Sequence, residues 1–305
     1  MINIKKILNK YNIEPTNITY RGKAKIIDTE YTTYVVRLKQ NNNQKIYKYL
    51  EDRNFNNFLP IYNSYEDPYE IYPFIVERQL EPKDKAQDLV YMLSLLHNKT
   101  TTYENVDLDE VKNIYETTIE KLDYLDQYYH DLQDNIESKV YMAPAEYLLI
   151  RNITSIYSAI YFSKEYIKKW HDEKTNQKTE RRVFLHNNLY LHHFLLGEDN
   201  SYFINWENSK RGNVIYDFLS FYRNEYLNIE PKALFDIYQA KFLYTKDEKT
   251  LFFALLAFPW KIAFQKSNYI NTIEVRNLIK YIDMTNDFIS EKNEENQKAH
   301  QEKFN

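Results

Sequence analysis

The sequence predicts an α+β fold of two lobes, a small antiparallel sheet followed by a larger, mostly helical part, and three observations lead there. β-Rich runs crowd the stretch from Ile18 to Leu50 around an Asn-rich turn. From Asp84 onward helical periodicity dominates. Between Phe184 and Tyr222 the pattern is mixed again, reading strand, polar loop, strand, turn, strand, polar loop, helix. The expected boundaries are residues 1–78 for a β-rich lobe, 79–288 for a helical lobe containing the mixed segment 184–222, and 289–305 for a charged tail.

Taken in order, residues 1–13 predict an amphipathic helix, because Ile4, Ile7, Leu8 and Tyr11 fall at the i, i+3, i+4, i+7 spacing of one apolar face. Lys5, Lys6 and Lys10 interrupt any apolar run, so the segment does not read as a signal peptide. Strands follow in NITYRGKAKIIDT, in TYVVRLKQ and, after a turn at NNNQ, in KIYKYLE, which puts Lys48 on the third strand. EIYPFIVERQL supplies a further strand. KDKAQDLVYMLSLLHNKTT then places Leu89, Met92, Leu93, Leu95 and Leu96 on one broad helix face. Residues 107–138 predict a long charged helix, and the run from Ala143 to Glu173 another, with Pro144 near its start where a proline costs least. The polar run 171–182, HDEKTNQKTERR, predicts a solvated loop. Past Tyr222 the chain is helical through LFFALLAFPWKIAFQ, and the tail EKNEENQKAHQEKFN lacks an apolar stripe and is expected to fray.

Composition narrows the functional classes. A chain of 305 residues with 43% hydrophobic content can bury a sizeable core and does not read as disordered. It contains no Cys, which excludes disulfides and thiolate metal sites and fits a reducing compartment. No window approaches the roughly 20 apolar residues of a membrane span. A cytoplasmic protein without a membrane partner is therefore expected. The net charge of -4 gives no electrostatic argument for nucleic acid. Only three glycines occur, and no G-x-G-x-x-G or Walker motif. If a flexible glycine loop covers phosphates, Gly22 alone could contribute to it.

The segment FLHNNLYLHHFLLGEDNSYFINWENSKRGNVIYDFLSFY carries a more specific signal. FLHNN, then FINWEN, then Asp217 opening YDFLSFY resembles the aminoglycoside phosphotransferase and choline kinase superfamily, a branch of the protein-kinase-like fold, whose pattern is similar to HGDLHPGN, IDWE and a G-x-x-x-x-D helix start. The resemblance makes residues 184–222 a catalytic-loop-like segment. It implies that His186 is the loop histidine, that Asn188 stands at the catalytic Asp position, His193 at the metal-binding Asn position and Asn205 at the metal-binding Asp position. It further implies Lys48 as the phosphate-contacting lysine and Glu77, Arg78 and Gln79 as the hinge between lobes. A helix between the third and fourth strands should carry a Glu to pair with that lysine, and the ten residues from Glu51 to Pro60 leave little room for it. LLHNKT also resembles the end of the first large C-lobe helix, with His97 a packing or hydrogen-bonding residue. AFPWKI, with Pro259 and Trp260, resembles the CotS-type spore-coat proteins of Firmicutes.

Phosphoryl transfer needs positioning, metal binding and acceptance of a hydroxyl proton. Asn188 offers a neutral carbonyl and NH2 donors in place of a base, and Asn205 cannot neutralise a hard divalent ion. His193 is a nitrogen donor better suited to zinc than magnesium. His186 and Asp217 keep architectural roles, the aspartate accepting orphan backbone N–H bonds at a helix start. Glu207 shares an extended face with Asn205 and is a candidate to hold a displaced metal. His192 and His193, adjacent on a strand, point to opposite faces and do not converge on one ion. Tyr190, Tyr202, Trp206 and Tyr216 either line a cleft or fill the core. The expectation is a kinase-like pseudoenzyme with no cofactor, serving as a binding or scaffold protein for an unknown protein or small-molecule partner. Two alternatives stand beside it. One is an active small-molecule phosphotransferase with ATP and Mg, using Lys48, Glu207 and His193; the other is a spore-coat structural protein.

Overall fold

The computed structural model describes residues 4–39, 43–64 and 66–301, with side chains described as far as residue 290. Asn41 and Asn42 of the expected NNNQ turn, and the last four residues of the tail, lie outside the described residues. The chain forms two compact units, Met1–Thr101 with Arg182–Phe242, and Thr102–Arg181 with Leu243–Asn305.

In the first unit, helix α1 (Ile4–Lys10) precedes strands β1 (Asn17–Arg21), β2 (Ala24–Asp28), β3 (Thr33–Leu38) and β4 (Tyr69–Pro73), paired antiparallel in that order. Side chains alternate between sheet faces, so Ile27, Val36 and Ile71 pack with Ile7, Leu8 and Ile13 on one side. Ala24, Ile26, Val35, Arg37 and Tyr72 face a cavity on the other. Gly22 turns the β1–β2 hairpin with φ +59, where a side chain would be strained.

KIYKYLE is not a strand. Asn43–Glu51 is helix α2, and its buried residues Asn43, Tyr47 and Leu50 recur at i, i+4 and i+7. The alternation of Ile, Tyr and Lys satisfies a strand pattern locally, but burial follows the helical period. Lys48 is exposed on this helix. The helix expected between the third and fourth strands is this segment itself, and the basic residue of the sheet that faces the cavity is Arg37 on β3.

Helix α3 (Pro82–Thr100) begins on Pro82 and buries Leu89, Leu93, Leu96 and His97, and it packs on α8 (Pro231–Lys241). Strand β6 (Thr179–Leu185) ends by pairing with β9 (Lys210–Gly212), and the short hairpin β7 (Phe194–Leu196) with β8 (Ser201–Phe203) lies between them in sequence. A Cβ on Gly212 would come within 2.7 Å of the Leu185 side-chain methyl, so a larger residue here has to displace that methyl. Helix α7 (Ile215–Glu225) follows.

The second unit contains β5 (Thr102–Asn105), α4 (Leu108–Glu137), α5 (Pro144–Arg151), α6 (Ile153–Lys174), α9 (Lys246–Leu256) and α10 (Asn268–Gln301). Asp107 caps α4 by accepting from the N–H groups of Asp109 and Glu110, and Pro144 opens α5. The AFPWKI segment is packed here, the Trp260 carbonyl accepting from the Tyr129 hydroxyl at 2.7 Å and its ring lying on Tyr281.

The run 171–182 is not a solvated loop. Residues through Lys174 continue α6 and those from Thr179 begin β6. Lys174 is buried and pairs with Glu180 at 3.0 Å and Asp247 at 3.1 Å, while Arg181 pairs with Glu248. Opposite charges far apart in sequence neutralise one another, which the local charge pattern cannot reveal. Among the described residues no helix is long and apolar enough to cross a membrane.

Candidate active site

All the site residues belong to the first unit, and their scaffold is built around one carboxylate. Asp217, fully buried in the first turn of α7, accepts from the backbone N–H of His186 at 2.8 Å and of Asn187 at 2.7 Å. These donors belong to the loop after β6 and not to the first turn of α7 itself. His97 Nε2 lies 3.1 Å from the same carboxylate, and its Nδ1 lies 2.5 Å from the Tyr238 hydroxyl. The tautomer that satisfies both contacts donates Nε2–H to Asp217 and accepts at Nδ1. The LLHNKT histidine is thus a hydrogen-bonding residue that orients Asp217.

His186 is buried against Phe203 and Trp206, and its Nε2–H donates to the Ile204 carbonyl at 3.0 Å. Burial pushes its pKa down to about 4, against the opposing pull of Asp217, so the ring is neutral near neutral pH. The histidine links the loop after β6 to the loop after β8. Two left-handed residues shape those loops, Asn187 with φ 57 and Asn205 with φ 66. Asn is one of the few side chains that tolerates this region.

Asn188 donates from Nδ2 to the Asn205 carbonyl at 3.3 Å. Its own backbone carbonyl accepts from His193 Nδ1–H at 2.8 Å. His193 is half-buried and its pKa is held below the ordinary imidazole value, first by burial and then by the charges of His192 and Arg37. His192 and His193 lie in a 3₁₀ turn, Leu191–His193, rather than on a strand, so their rings are neighbours with centroids 4.3 Å apart.

Arg37 is the residue that sequence reasoning missed. From β3 its Nη1 donates to Asn205 Oδ1 at 2.6 Å and its Nη2 to Glu207 Oε1 at 2.7 Å. The guanidinium fork therefore spans two of the three residues expected to hold a metal, Asn205 and Glu207. The available signal was the cation in TYVVRLKQ, two residues beyond Val35 and on the same strand face. Lys48 is not brought to this site.

A cavity of about 850 Å³ opens beside these groups, bounded by the β2–β3–β4 face, α2, the segment after β4 and the His192–His193 turn. Its rings are Tyr47, Tyr72 and Phe74. Of the four aromatics proposed to line a cleft, none borders it, and Trp206 is core. Glu77 does border it and is ion-paired with Lys85, and Arg78 N–H donates to the Leu196 carbonyl at 2.8 Å. His193 and Asn205 also line the cavity, while Asn188 and Glu207 do not and are bonded to Asn205 and Arg37 behind its wall. Among the described residues no group of three or more His, Asp and Glu side chains converges as a metal site.

A model of the phosphotransferase enzyme family, APH, matches residues 26–251. The aminoglycoside phosphotransferase from Alicyclobacillus acidocaldarius subsp. acidocaldarius DSM 446 superposes with a TM-score of 0.71 at 13% identity, over 97% of this chain and 96% of that one. The AMP-bound spectinomycin phosphotransferase APH(9)-Ia gives a TM-score of 0.56 at 14% identity, over 92% of this chain and 97% of that one. At such identity the likeness shows the fold, which is protein-kinase-like. No curated protein sequence matches.

Proposed function

The chain belongs to the phosphotransferase enzyme family, and within it we propose a non-catalytic binding protein whose cavity takes an anionic ligand of the nucleotide class at Arg37 without transferring its phosphoryl group. The observation that carries this reading is the Arg37 fork across Asn205 and Glu207. A guanidinium in that place supplies the positive charge that a phosphate would otherwise find in a divalent ion.

The donor set supports the same reading. Magnesium asks for hard, mostly anionic oxygen ligands in near-octahedral geometry. Here two positions carry amides, one an imidazole, and the single carboxylate of Glu207 is already paired with Arg37. These residues do not fit a magnesium ion. Asn188 points amide hydrogens toward the Asn205 carbonyl and has no basic atom to take a hydroxyl proton. The AMP complex of APH(9)-Ia is a reason to choose adenine nucleotides as the first probe.

Thermal unfolding with ATP tests this directly, since a ligand at about 100 times its Kd raises stability by about 2.7 kcal/mol. Equal stabilisation with and without Mg2+, lost in Arg37→Ala, is expected. Magnesium-dependent product formation that disappears in Asn188→Ala would falsify the proposal. A second reading, a phosphotransferase with relocated groups, draws on His193, which is neutral and anchored through Nδ1 beside the cavity. Turnover abolished by His193→Asn would select it. The spore-coat role suggested by AFPWKI is a separate proposal about location, checked by imaging the tagged protein in sporulating cells.

A further inference from the structure

On the α1 side of the sheet, opposite the face that carries Arg37, a second and smaller pocket of about 240 Å³ is lined by the rings of Tyr11, Tyr34 and Tyr62, by Pro73 and by the buried Ile13 and Ile71. Sites that enclose a small molecule run to roughly 300–1,000 Å³, so this volume suits a single ring or side chain of a larger partner. Tyr34 and Tyr62 meet edge to face with centroids 6.1 Å apart, and Tyr62 is 56% exposed. The Tyr11 hydroxyl is committed, donating to Asp67 and accepting from the Ser64 N–H at 2.8 Å. Those of Tyr34 and Tyr62 have no hydrogen-bond partner among the described residues. Exposed rings with free hydroxyls over an apolar floor match what a proline-rich segment presents. Its proline rings pack on aromatic faces, and its backbone carbonyls, unpaired in the polyproline II helix, accept from hydroxyls.

The unpaired charges on the segments that frame the pocket have one sign. Glu14 follows Ile13, Glu30 lies in the β2–β3 turn two residues before Thr32, which also lines the pocket, and Glu66 lies in the turn 64–67 that rests on Tyr11. All three are exposed and have no ion-pair partner among the described residues. Lys10, the base at this end of α1, is taken up by Asp67 at 2.7 Å. Carboxylates on three segments around one aromatic pocket attract a cationic partner and repel an acidic one.

We propose that this face docks a basic, proline-rich segment of a partner protein, its prolines seated on Tyr34 and Tyr62 and its Arg or Lys side chains meeting Glu14, Glu30 and Glu66. The docking is independent of nucleotide binding, since Arg37 and its cavity lie on the other face of the sheet.

Three fluorescein-labelled nonapeptides, RPPRPPRPP, EPPEPPEPP and RGGRGGRGG, separate charge from shape when the full chain is titrated into each and anisotropy is read. The first should bind about tenfold more tightly than either of the others. Tyr62→Ala, at an exposed position, should remove the advantage of proline over glycine. Glu14→Gln with Glu30→Gln should weaken RPPRPPRPP severalfold, and serves if Tyr62→Ala does not fold. Both variants should respond to ATP as the wild type does. Equal affinity for RPPRPPRPP and RGGRGGRGG, a preference untouched by both variants, or no saturable binding at millimolar concentration overturns the site. So does a dimer in sedimentation that dissociates in Tyr62→Ala, which gives the face to a second copy of the chain.

Discussion

Asp217 gathers two consecutive backbone N–H groups and the His97 ring on one buried carboxylate, so the loop that presents Asn188 is fixed by a residue twenty-nine positions later. Asp217→Asn turns one acceptor into a donor facing donors. A loss of about 3 kcal/mol in urea unfolding is expected, as for other buried charged groups that lose a partner. His186 makes stability depend on pH. Its folded pKa of about 4 lies below the ordinary 6.5, so the unfolded chain binds the proton more tightly. Stability from this group is fully present above about pH 6.5 and falls as pH drops toward 4, by on the order of 3 kcal/mol. Urea midpoints measured across that window should decline, and His186→Gln should flatten the decline.

Once α2 and β3 are placed, Lys48 lies on an exposed helix face and Arg37 reaches Asn205 and Glu207. Lys48→Ala, on the exposed side of α2, should leave ATP stabilisation unchanged, whereas Arg37→Ala should abolish it. The reverse pattern in a thermal shift would show that Lys48 rather than Arg37 contacts the nucleotide. At the junction of α6, β6 and α9, Lys174 holds Glu180 and Asp247 with almost no exposure. Lys174→Met keeps the length of the side chain and strands two carboxylates. A loss of about 3–5 kcal/mol in chemical unfolding is expected, because removing one partner leaves buried charge uncompensated. Helix periodicity was legible wherever a long stripe existed, as in α3, where Leu89, Leu93 and Leu96 are buried as their spacing required. It failed in α2, a nine-residue helix in which two periods fit equally well.

At the scale of the molecule, the chain has the family's fold, and the loops after β6 and β8 present two amides, an imidazole and an arginine-bound carboxylate. Introducing two acids together, as Asn188→Asp with Asn205→Asp, should make ATP stabilisation respond to Mg2+, since two added carboxylates supply the hard oxygen donors the metal requires. A shift still indifferent to Mg2+ would count against the charge argument. By itself the sequence determined the α+β class and, through its resemblance, the phosphotransferase family, and it singled out the segment whose His186, Asn188, His193, Asn205 and Asp217 the fold brings into neighbouring loops. Tertiary structure alone decided that Arg37 rather than Lys48 reaches that segment, that His97 orients Asp217, and that Asn43 of α2 donates to Glu70 of β4. Each of those contacts joins residues tens to more than a hundred positions apart, and only packing brings such charges and acceptors within hydrogen-bonding distance.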